Sequence, residues 1–449
     1  MNLIHISLRN VRVRLLSTAL TTLSIAMGTA LMATMWLMIA EAEKKFRTSI
    51  EAYTMVVGPN SGSSLDLVLN TVFNLGISEG VVPYSVYHDL HDGQGRDSLR
   101  MKGLVVYAIP QARGDNYRGM PVIGTTDEMF SLFYTRKEGD EKVHLRFAQG
   151  EPFAFGHEDL EEFVATALEN DATDDGHVPD RWRRAVIGDQ VSRRLGLTAG
   201  DRFVPNHGPV EEITADAHDE AECVVAGVLE RTGSALDRSI FVPMSMFFAI
   251  GKHKDNLVRP GQEQISDNIG LSAIIVRTAV LTGAQKLRYE FQSWPDAQGA
   301  LTFNEVLKLL EIIGNTTAIL EVISYIVLLV AASTVLLALC NTMNERRREI
   351  AIMRALGARR GQISGIILAE ALLISLCAGV LGVLICHGTV FVLQEYIEGK
   401  AGMSVDWLAF SSKELFLILG VGALGSVAGI LPALKAARVP VTENLGPTS

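Results

Sequence analysis

The sequence predicts a four-span α-helical membrane domain joined to a large mixed α+β extracytoplasmic domain. The mean hydropathy of the 449-residue chain is +0.24, and its apolar residues cluster in four blocks that carry no formal charge. About 20 apolar residues are enough for a helix to cross roughly 30 Å of hydrocarbon. The long segment between the first two blocks instead alternates short apolar runs with turn residues, which is typical of a folded domain.

The four apolar blocks are residues 17–40, 322–344, 371–394 and 415–434. We expect membrane spans at residues 17–40, 316–344, 361–394 and 415–434, because each block reaches the spanning length. A cleaved signal peptide is the alternative for the first block. Its apolar region would be only about 7–15 residues long, so the 24 charge-free residues here favour an uncleaved span.

Basic residues flank the blocks unevenly. Arginines precede the first block, six lie between the second and third, and Lys435 and Arg438 follow the fourth. Short loops rich in Lys and Arg stay in the cytoplasm. The flanks therefore predict a multi-pass protein of the cell (inner) membrane with both termini cytoplasmic. Residues 41–315 are expected outside, 395–414 as a short external loop, and 435–449 as a cytoplasmic tail. Residues 1–16 fit either an interfacial helix or an ordinary basic flank.

The predicted external segment is acidic. Residues 41–315 contain 27 Lys and Arg against 41 Asp and Glu, whereas the rest of the chain contains 13 against 9. A nucleic-acid partner would need a basic surface, so this balance argues against one. Of the four cysteines only Cys223 lies outside the spans. The domain must therefore be held by a packed core and not by a disulfide framework.

Short apolar runs bounded by turn residues predict strands at residues 104–109, 121–124, 186–187, 202–205, 223–229, 239–242 and 271–276. Helices are predicted at residues 65–75, 190–195, 244–250 and 282–291. The acidic stretch 158–180 lacks a strand pattern and is expected to be an inserted loop or surface. Its Asp171, Asp174 and Asp175 resemble part of a calcium loop, but Trp182 occupies the position that needs Glu.

Two helices are expected to extend beyond the membrane. Residues 41–50 remain favourable to helix and should prolong the first span as a stalk, which Gly58-Pro59 ends. Thr302 and Glu305 form a capping-box pattern. The helix that begins there is expected to continue to about Asn344, as one rod between the external domain and the cytoplasmic side.

Residues 345–360, between the second and third spans, combine positive charge with an apolar stripe. Glu345, Arg346, Arg347, Arg348 and Glu349 open the segment, Arg354 follows, and Gly357 is a helix stop. Ile350, Met353 and Leu356 recur near helical spacing. A short basic helix of this kind can dock into another protein, with the apolar side chains filling a groove. Binding to anionic lipid is the simpler alternative, at about 1 kcal/mol per basic residue.

Glu370 lies within the third span, where a charged acid costs about 2.5 kcal/mol or more and faces protein or water. Orientation of helices at a dimer interface is preferred over proton relay, since no second acid was recognised within the third and fourth spans. The small-residue pairs Ser375/Gly379 and Gly425/Gly429 permit close helix packing and are weak indications of dimerisation.

Several motifs resemble the MacB/FtsX family of ABC transporter permeases. The pattern E-x-x-x-E-I-[AG]-x-x-[RK]-A-[LI]-G of that family matches Glu345–Gly357, and P-A-x-x-A-A matches residues 432–437. An intramembrane acid with Gly-rich spacing matches Glu370, Gly379 and Gly382. Residues 186–203 and 224–244 resemble segments of the family's periplasmic domain. The proline and further helix turn that often follow the last motif are replaced here by Pro440-Val441-Thr442.

The resemblance implies a permease subunit that dimerises through its spans, as a homo- or heterodimer, and binds a separate ABC ATPase subunit. Residues 345–360 would be the coupling helix, and ATP hydrolysis would move the periplasmic domain by mechanotransmission. The substrate would be hydrophobic, a lipoprotein or peptide-like. A periplasmic adaptor or outer-membrane partner is left open. The alternative is a non-transporting FtsX-like regulator of a cell-wall hydrolase.

Two common motifs for chemistry are absent from the sequence. It contains no G-x-x-x-x-G-K-[ST] and no HExxH. We therefore expect no catalytic residue, no cofactor site and no metal site here, with ATP and Mg²⁺ held by the partner ATPase. His88 and His91 are three residues apart, but two histidines are more often surface residues than metal ligands. A membrane enzyme with a catalytic external domain has no motif to support it.

Overall fold

The computed structural model describes residues 15–76, 80–92, 103–138, 141–169, 179–207, 222–249, 269–401 and 405–438. These form two compact units. The helical unit consists of the described residues of Met1–Ala42, Ile312–Ile397 and Val405–Ser449, and the sheet unit of those of Glu43–Glu311 and Glu398–Ser404.

The α-helices of the described residues are α1 (Leu15–Ile50), α2 (Ser64–Phe73), α3 (Tyr84–Asp92), α4 (Glu128–Ser131), α5 (His157–Glu169), α6 (Asp189–Leu195), α7 (Met244–Ala249), α8 (Leu281–Phe291), α9 (Thr302–Glu345), α10 (Arg347–Ala355), α11 (Arg360–Ala401) and α12 (Ser412–Ala437). The strands are β1 (Met55–Gly58), β2 (Val82–Pro83), β3 (Val105–Tyr117), β4 (Met120–Thr125), β5 (Tyr134–Glu138), β6 (Glu141–His144), β7 (Phe147–Gly150), β8 (Arg184–Ile187), β9 (Arg202–Phe203), β10 (Asn206–His207), β11 (Cys223–Leu229), β12 (Ile240–Pro243), β13 (Gly270–Leu271), β14 (Ala273–Thr278) and β15 (Gln298–Leu301).

Four helices are long and apolar enough to cross a membrane, at Thr18–Arg47, Thr302–Glu345, Arg360–Ile397 and Ser412–Ala437. The predicted class, four apolar helices with a mixed α and β domain, is therefore confirmed. The charge-free blocks allow these helices because no ionised side chain interrupts them in lipid. α9 has 44 residues, which corresponds to about 66 Å.

The helical unit has an apolar core to which all four long helices contribute. Ala33 of α1, Val335 of α9, Ala378 of α11 and Val421 of α12 are each almost completely buried in it. α1 also approaches α9 closely, because a Cβ at Gly28 would lie 3.1 Å from Val327 Cγ1. The Trp36 Nε1–H donates to Glu321 Oε1 across the same pair of helices, at 2.9 Å.

The sheet unit is built on an 11-stranded mixed sheet. Nine strands follow the order β15-β1-β14-β3-β4-β12-β8-β11-β7, with β10 beside β3 and β9 beside β11. The pairs β4–β12 and β8–β11 are parallel and the others are antiparallel. The 13-residue β3 joins the two halves, because it pairs with β14 at Ile109 and with β4 at Arg113.

The β3–β4 hairpin turns through Arg118 and Gly119, which both have positive φ, at 49° and 80°. A two-residue turn with positive φ at both positions matches the right-handed twist of the strands it joins. Tyr117 and Met120 face each other across that turn. The turn itself therefore fixes the pairing of β3 with β4.

Helix α2 is capped at its amino end and bonded to the sheet at its carboxyl end. Ser63 accepts a hydrogen bond from the Asp66 N–H at the amino end, as N-caps do. At the carboxyl end the Arg113 guanidinium donates to the Asn70 and Thr71 carbonyl oxygens, at 2.9 and 2.8 Å. Burial of Arg113 lowers its pKa to about 10.

Some local expectations were wrong. The first helix continues to Ile50 as expected, but Gly58-Pro59 is not what ends it, because Met55–Gly58 forms β1. The Thr302 hydroxyl is buried without a hydrogen-bond partner, so the capping box is not formed; Glu305 instead binds the Lys308 Nζ at 2.8 Å. The acidic stretch after residue 157 contains α5. Residues 1–14, the aspartates at 171, 174 and 175, and residues 439–449 lie outside the described residues.

Candidate functional site

The segment between α9 and α11 forms its own short helix, α10. Arg346 separates α9 from α10 with φ −101° and ψ 12°. The helix closes at Gly357, which has φ +97° and whose N–H donates to the Arg354 carbonyl oxygen at 3.0 Å. Glycine adopts this left-handed conformation without a steric cost, which explains the stop.

The three apolar residues expected as one exposed stripe are divided between two surfaces. Ile350 is 5% exposed and packs with Met343, Ile363 and Ala436, and Met353 packs against the same cluster. Leu356 is 83% exposed. The expectation that Ile350 and Met353 face a partner is therefore corrected, because Ile350 is buried and Met353 partly buried against the chain's own long helices.

The exposed surface of the segment is basic with two apolar side chains. Ile352 joins Leu356 on it, being 42% exposed. The surrounding charged residues of the segment are Glu345, Arg347, Arg348, Glu349, Arg359 and Arg360, all exposed. We call Ile352, Leu356 and the four arginines Arg347, Arg348, Arg359 and Arg360 the basic surface.

Glu370 is 7% exposed and faces residues of this segment. Its Oε2 lies 3.9 Å from Arg346 Nη1, and Arg346 Nε donates to Glu349 Oε2 at 2.8 Å. A small cavity of about 30 Å³ lies between them, lined by Arg346, Glu370 and apolar side chains that include Ile350 and Ile366. The acid expected at a dimer interface thus has an arginine of its own chain as a neighbour.

The glycines singled out in the third and fourth spans lie where helices of the same chain meet. A Cβ at Gly425 would lie 2.5 Å from Ser375 Cβ, and one at Gly429 would lie 2.8 Å from Ala371 Cβ. A Cβ at Gly379 would lie 3.3 Å from Ile418 Cα. We call this contact the α11–α12 seam. These small residues therefore serve packing within the chain, and they do not indicate a contact between two chains.

Gly382 has the same role on another side of α11. A Cβ there would lie 2.6 Å from Thr29 Cβ and 2.7 Å from the Ala26 carbonyl oxygen of α1. Contacts this short between side-chain carbons do not occur in real structures. α1 and α11 can approach this closely only because residue 382 has no side chain.

One polar pair in the helical unit was overlooked from the sequence. Glu414, in the first turn of α12, is 2% exposed and its Oε2 lies 3.1 Å from His387 Nε2 of α11. His387 Nδ1 lies 2.6 Å from the Trp407 carbonyl oxygen. Because a carbonyl only accepts, Nδ1 carries a proton. The signal was available, since His387 is the one residue of the third apolar block that can become a cation and Glu414 directly precedes the fourth block.

The sheet unit places His88 and His91 beside acids and not at a metal centre. His91 stacks on His157 with ring centroids 3.8 Å apart, and its Nε2 lies 2.9 Å from Glu128 Oε1. His88 Nε2 lies 3.4 Å from Glu161 Oε1. Within the described ranges, no group of three or more His, Cys, Asp or Glu residues has a geometry that holds a metal ion.

A shallow groove of about 280 Å³ opens in the sheet unit beside the start of α9. It is lined by Gln285, Arg288, Tyr289, Gln292, Leu301 and Asn304. We assign no ligand to it.

Comparison with known families matches two parts of the chain. Residues 18–286 match the family described as MacB-like periplasmic core domain, and residues 321–441 match the FtsX-like permease C-terminal family. The two matches together take in most of the sheet unit, most of the four apolar helices and the segment around α10.

Individual relatives share about a quarter to a third of their aligned residues with this chain. The chain is 26% identical over 365 residues to the macrolide export ATP-binding/permease protein MacB of Burkholderia cenocepacia, covering 77% of this chain and 42% of that protein. It is 27% identical over 286 residues to the protein of the same name in Burkholderia thailandensis, covering 60% and 39%. It is 34% identical over 157 residues to the uncharacterized ABC transporter permease YknZ of Bacillus subtilis, covering 33% and 38%. The matches thus span about two fifths of the length of these relatives.

Proposed function

The chain belongs to the FtsX-like permease family with a MacB-like periplasmic core domain, and from this premise we propose that it is the permease subunit of an ABC transporter. A separate ATPase subunit would hold ATP and Mg²⁺ and would bind the basic surface. The permease would pass the resulting motion to its periplasmic domain. Two copies of the permease, or this chain and a related one, would act together.

The observation that carries this proposal is the division of the segment 345–360 into a buried and an exposed side. Ile350 and Met353 attach α10 to the helical unit. Leu356 and Ile352 remain available to a partner and are surrounded by exposed arginines. An exposed leucine beside basic residues suits a groove that is apolar at its floor and acidic at its rim. Force applied to Leu356 would reach the long helices through Ile350.

Orientation and cargo follow from the same proposal. An ATPase works in the cytoplasm, so the basic surface would face the cytoplasm, as would both termini. The sheet unit would then lie on the opposite side of the membrane. We propose a hydrophobic, lipoprotein or peptide-like substrate that is exported or extracted from the membrane. The family relationship and the apolar character of the four helices support this class of substrate.

The test is a substitution on the exposed side of α10. Leu356→Asp places a charge where the partner's apolar groove would close. It should lower permease-stimulated ATP hydrolysis about tenfold or more, because the complex loses a buried anchor that contributes ~1.4 kcal/mol or more. ATP hydrolysis is measured with the purified permease and ATPase in lipid vesicles.

Leu408→Asp is the matched control. Leu408 is 67% exposed in the loop between α11 and α12, and its replacement should leave stimulation unchanged. Both variants must insert into the membrane as the unaltered chain does. Full stimulation by the Leu356→Asp protein would contradict ATPase docking at this surface.

A further inference from the structure

The junction between α9 and α10 is a single residue, Arg346. Its N–H donates to the Thr342 carbonyl oxygen at 3.1 Å, and its carbonyl accepts from the Ile350 N–H at 3.0 Å. Helical hydrogen bonding therefore continues on both sides while the dihedral angles of Arg346 depart from those of a helix. A change at this one residue is enough to alter the angle between α9 and α10.

The side chain of Arg346 contacts two acids in different surroundings. Glu349 is 62% exposed at its side chain, so its ion pair with Arg346 is surrounded by solvent. Glu370 is only 9% exposed at its side chain and lies on α11, in another element. An exposed pair contributes little because water screens it. A largely buried pair matters more, because removal of one partner leaves the other charge without compensation.

Apolar contacts also hold α10 on the helical unit. Ile350 packs against Ile363 and Ala436, and the small cavity beside Arg346 shows that this packing is incomplete. Apolar contacts have no preferred direction, so they allow α10 to turn against α11. The ion pair between Arg346 and Glu370, at 3.9 Å, is lost when the two charged groups separate. It therefore favours the orientations of α10 that keep these groups close.

We propose that Arg346 and Glu370 are positioning residues that hold α10 in one orientation on α11. Glu370 anchors the arginine, and the arginine fixes the angle at the α9–α10 junction. The consequence for coupling rests on the proposed function: the basic surface reaches an ATPase in a defined orientation, and a push on α10 moves α11. The positioning itself is a property of this chain alone and is measured first without a partner.

The first experiment measures the orientation of α10 in the purified full-length chain in lipid nanodiscs. Spin labels are placed at Leu356→Cys and Leu384→Cys, two exposed positions on either side of Glu370, after the four native cysteines are replaced by serine. Electron spin resonance then gives the distance distribution between the labels. We expect one narrow distribution in the parent chain. Glu370→Gln and Arg346→Gln should each broaden or shift it.

Glu349→Gln is the matched control, because it removes the exposed partner of Arg346 and leaves Glu370 in place. Its distribution should equal that of the parent chain. The exchanged pair Arg346→Glu with Glu370→Arg should restore the narrow distribution, which a residue needed only for folding would not do. The proposal would be overturned by either of two results. One is a parent-like distribution in Glu370→Gln, and the other is a distribution in the exchanged pair as broad as that of the single variants.

The second experiment measures stimulation of the ATPase by the same variants without labels. Glu370→Gln should lower the ratio of stimulated to basal hydrolysis about tenfold, with Glu349→Gln within about twofold and the exchanged pair recovering. If the parent chain stimulates no ATPase while the distance distributions change as expected, the proposed function fails and the positioning stands. If stimulation is intact in the parent chain and in Glu370→Gln, the consequence of the positioning for coupling is overturned and the proposed function stands.

Discussion

Arg113 is a part-buried cation whose hydrogen-bond acceptors are all neutral. Besides the two carbonyl oxygens at the end of α2, its guanidinium donates to Asn74 Oδ1 and to Gln111 Oε1. The carboxyl end of a helix carries a partial negative charge, which favours a cation there. The last turn of α2 therefore takes the place of an acidic partner for Arg113.

We expect Arg113→Met to destabilise the sheet unit by about 3 kcal/mol, because buried carbonyl and amide oxygens lose their donors. Arg113→Lys should be about 1–2 kcal/mol milder, since an ammonium keeps the charge but not the planar fork. The free energy of unfolding is obtained from denaturant titration, with hydrogen exchange of the α2 amides as a local readout.

Arg202→Met is the control for that change. The Arg202 side chain is 66% exposed and pairs with Glu222 at the surface, so its loss should cost less than about 0.5 kcal/mol. An Arg113→Met chain as stable as Arg202→Met, with unchanged α2 protection, would show that the hydrogen bonds of Arg113 add nothing to stability.

At the scale of elements, the α11–α12 seam is determined by the absence of side chains. Gly425→Ala would place a methyl group 2.5 Å from Ser375 Cβ. The helices must then separate, and we expect a loss of about 1–3 kcal/mol from overpacking. Thermal unfolding of the purified chain in detergent measures the change.

The same helix offers the control. A Cβ at Gly420 meets nothing within 4 Å, so Gly420→Ala should be neutral or slightly stabilising, since alanine favours helix over glycine by about 1 kcal/mol. Ser375→Gly combined with Gly425→Ala should recover most of the stability. If both alanine variants unfold at the same temperature, the seam is not limited by Gly425.

Elements with strong local signals could be predicted from the sequence. β11 occupies residues 223–229 as expected, and α6 ends where Gly196 takes a left-handed conformation. The four-residue β1 has no such signal. All of its residues are buried between β14 and β15, so no polar alternation marks it, and its pairing partners lie more than 200 residues away in the chain.

The candidate site was predictable only in part. Charge and spacing located the segment 345–360, but they did not tell which face of α10 the rest of the chain covers. That depends on Ala436 and Ile363, which come from two other helices. The capping box predicted at Thr302 was wrong for a similar reason, because a distant part of the chain supplies the acceptor. The Thr302 N–H donates to the Thr54 carbonyl oxygen, at 3.4 Å, and not to the Glu305 side chain.

At the scale of the whole molecule, α9 contributes residues to both units. Residues 302–311 belong to the sheet unit and the remainder to the helical unit. The proposed mechanical coupling between an ATPase and the sheet unit would require this helix to be stiff. Gly314 offers a place to test stiffness, because a Cβ there meets nothing within 4 Å.

Insertion of four glycines after Gly314 should abolish transport-linked stimulation of ATP hydrolysis, because glycine favours the unfolded backbone by about 1 kcal/mol per residue. Insertion of four alanines keeps the helix and should retain more of the stimulation. Both proteins are compared for membrane insertion and ATPase binding, which should not change. Equal stimulation by the two insertions would show that α9 need not be continuous.

The α11–α12 seam also bears on how cargo can cross the membrane. Where Gly425 and Gly429 meet the neighbouring helix there is no space for a methyl group, and therefore none for a file of water molecules. At these two positions the seam therefore offers a polar solute no aqueous route. A hydrated molecule that this protein handles would have to avoid this part of the seam.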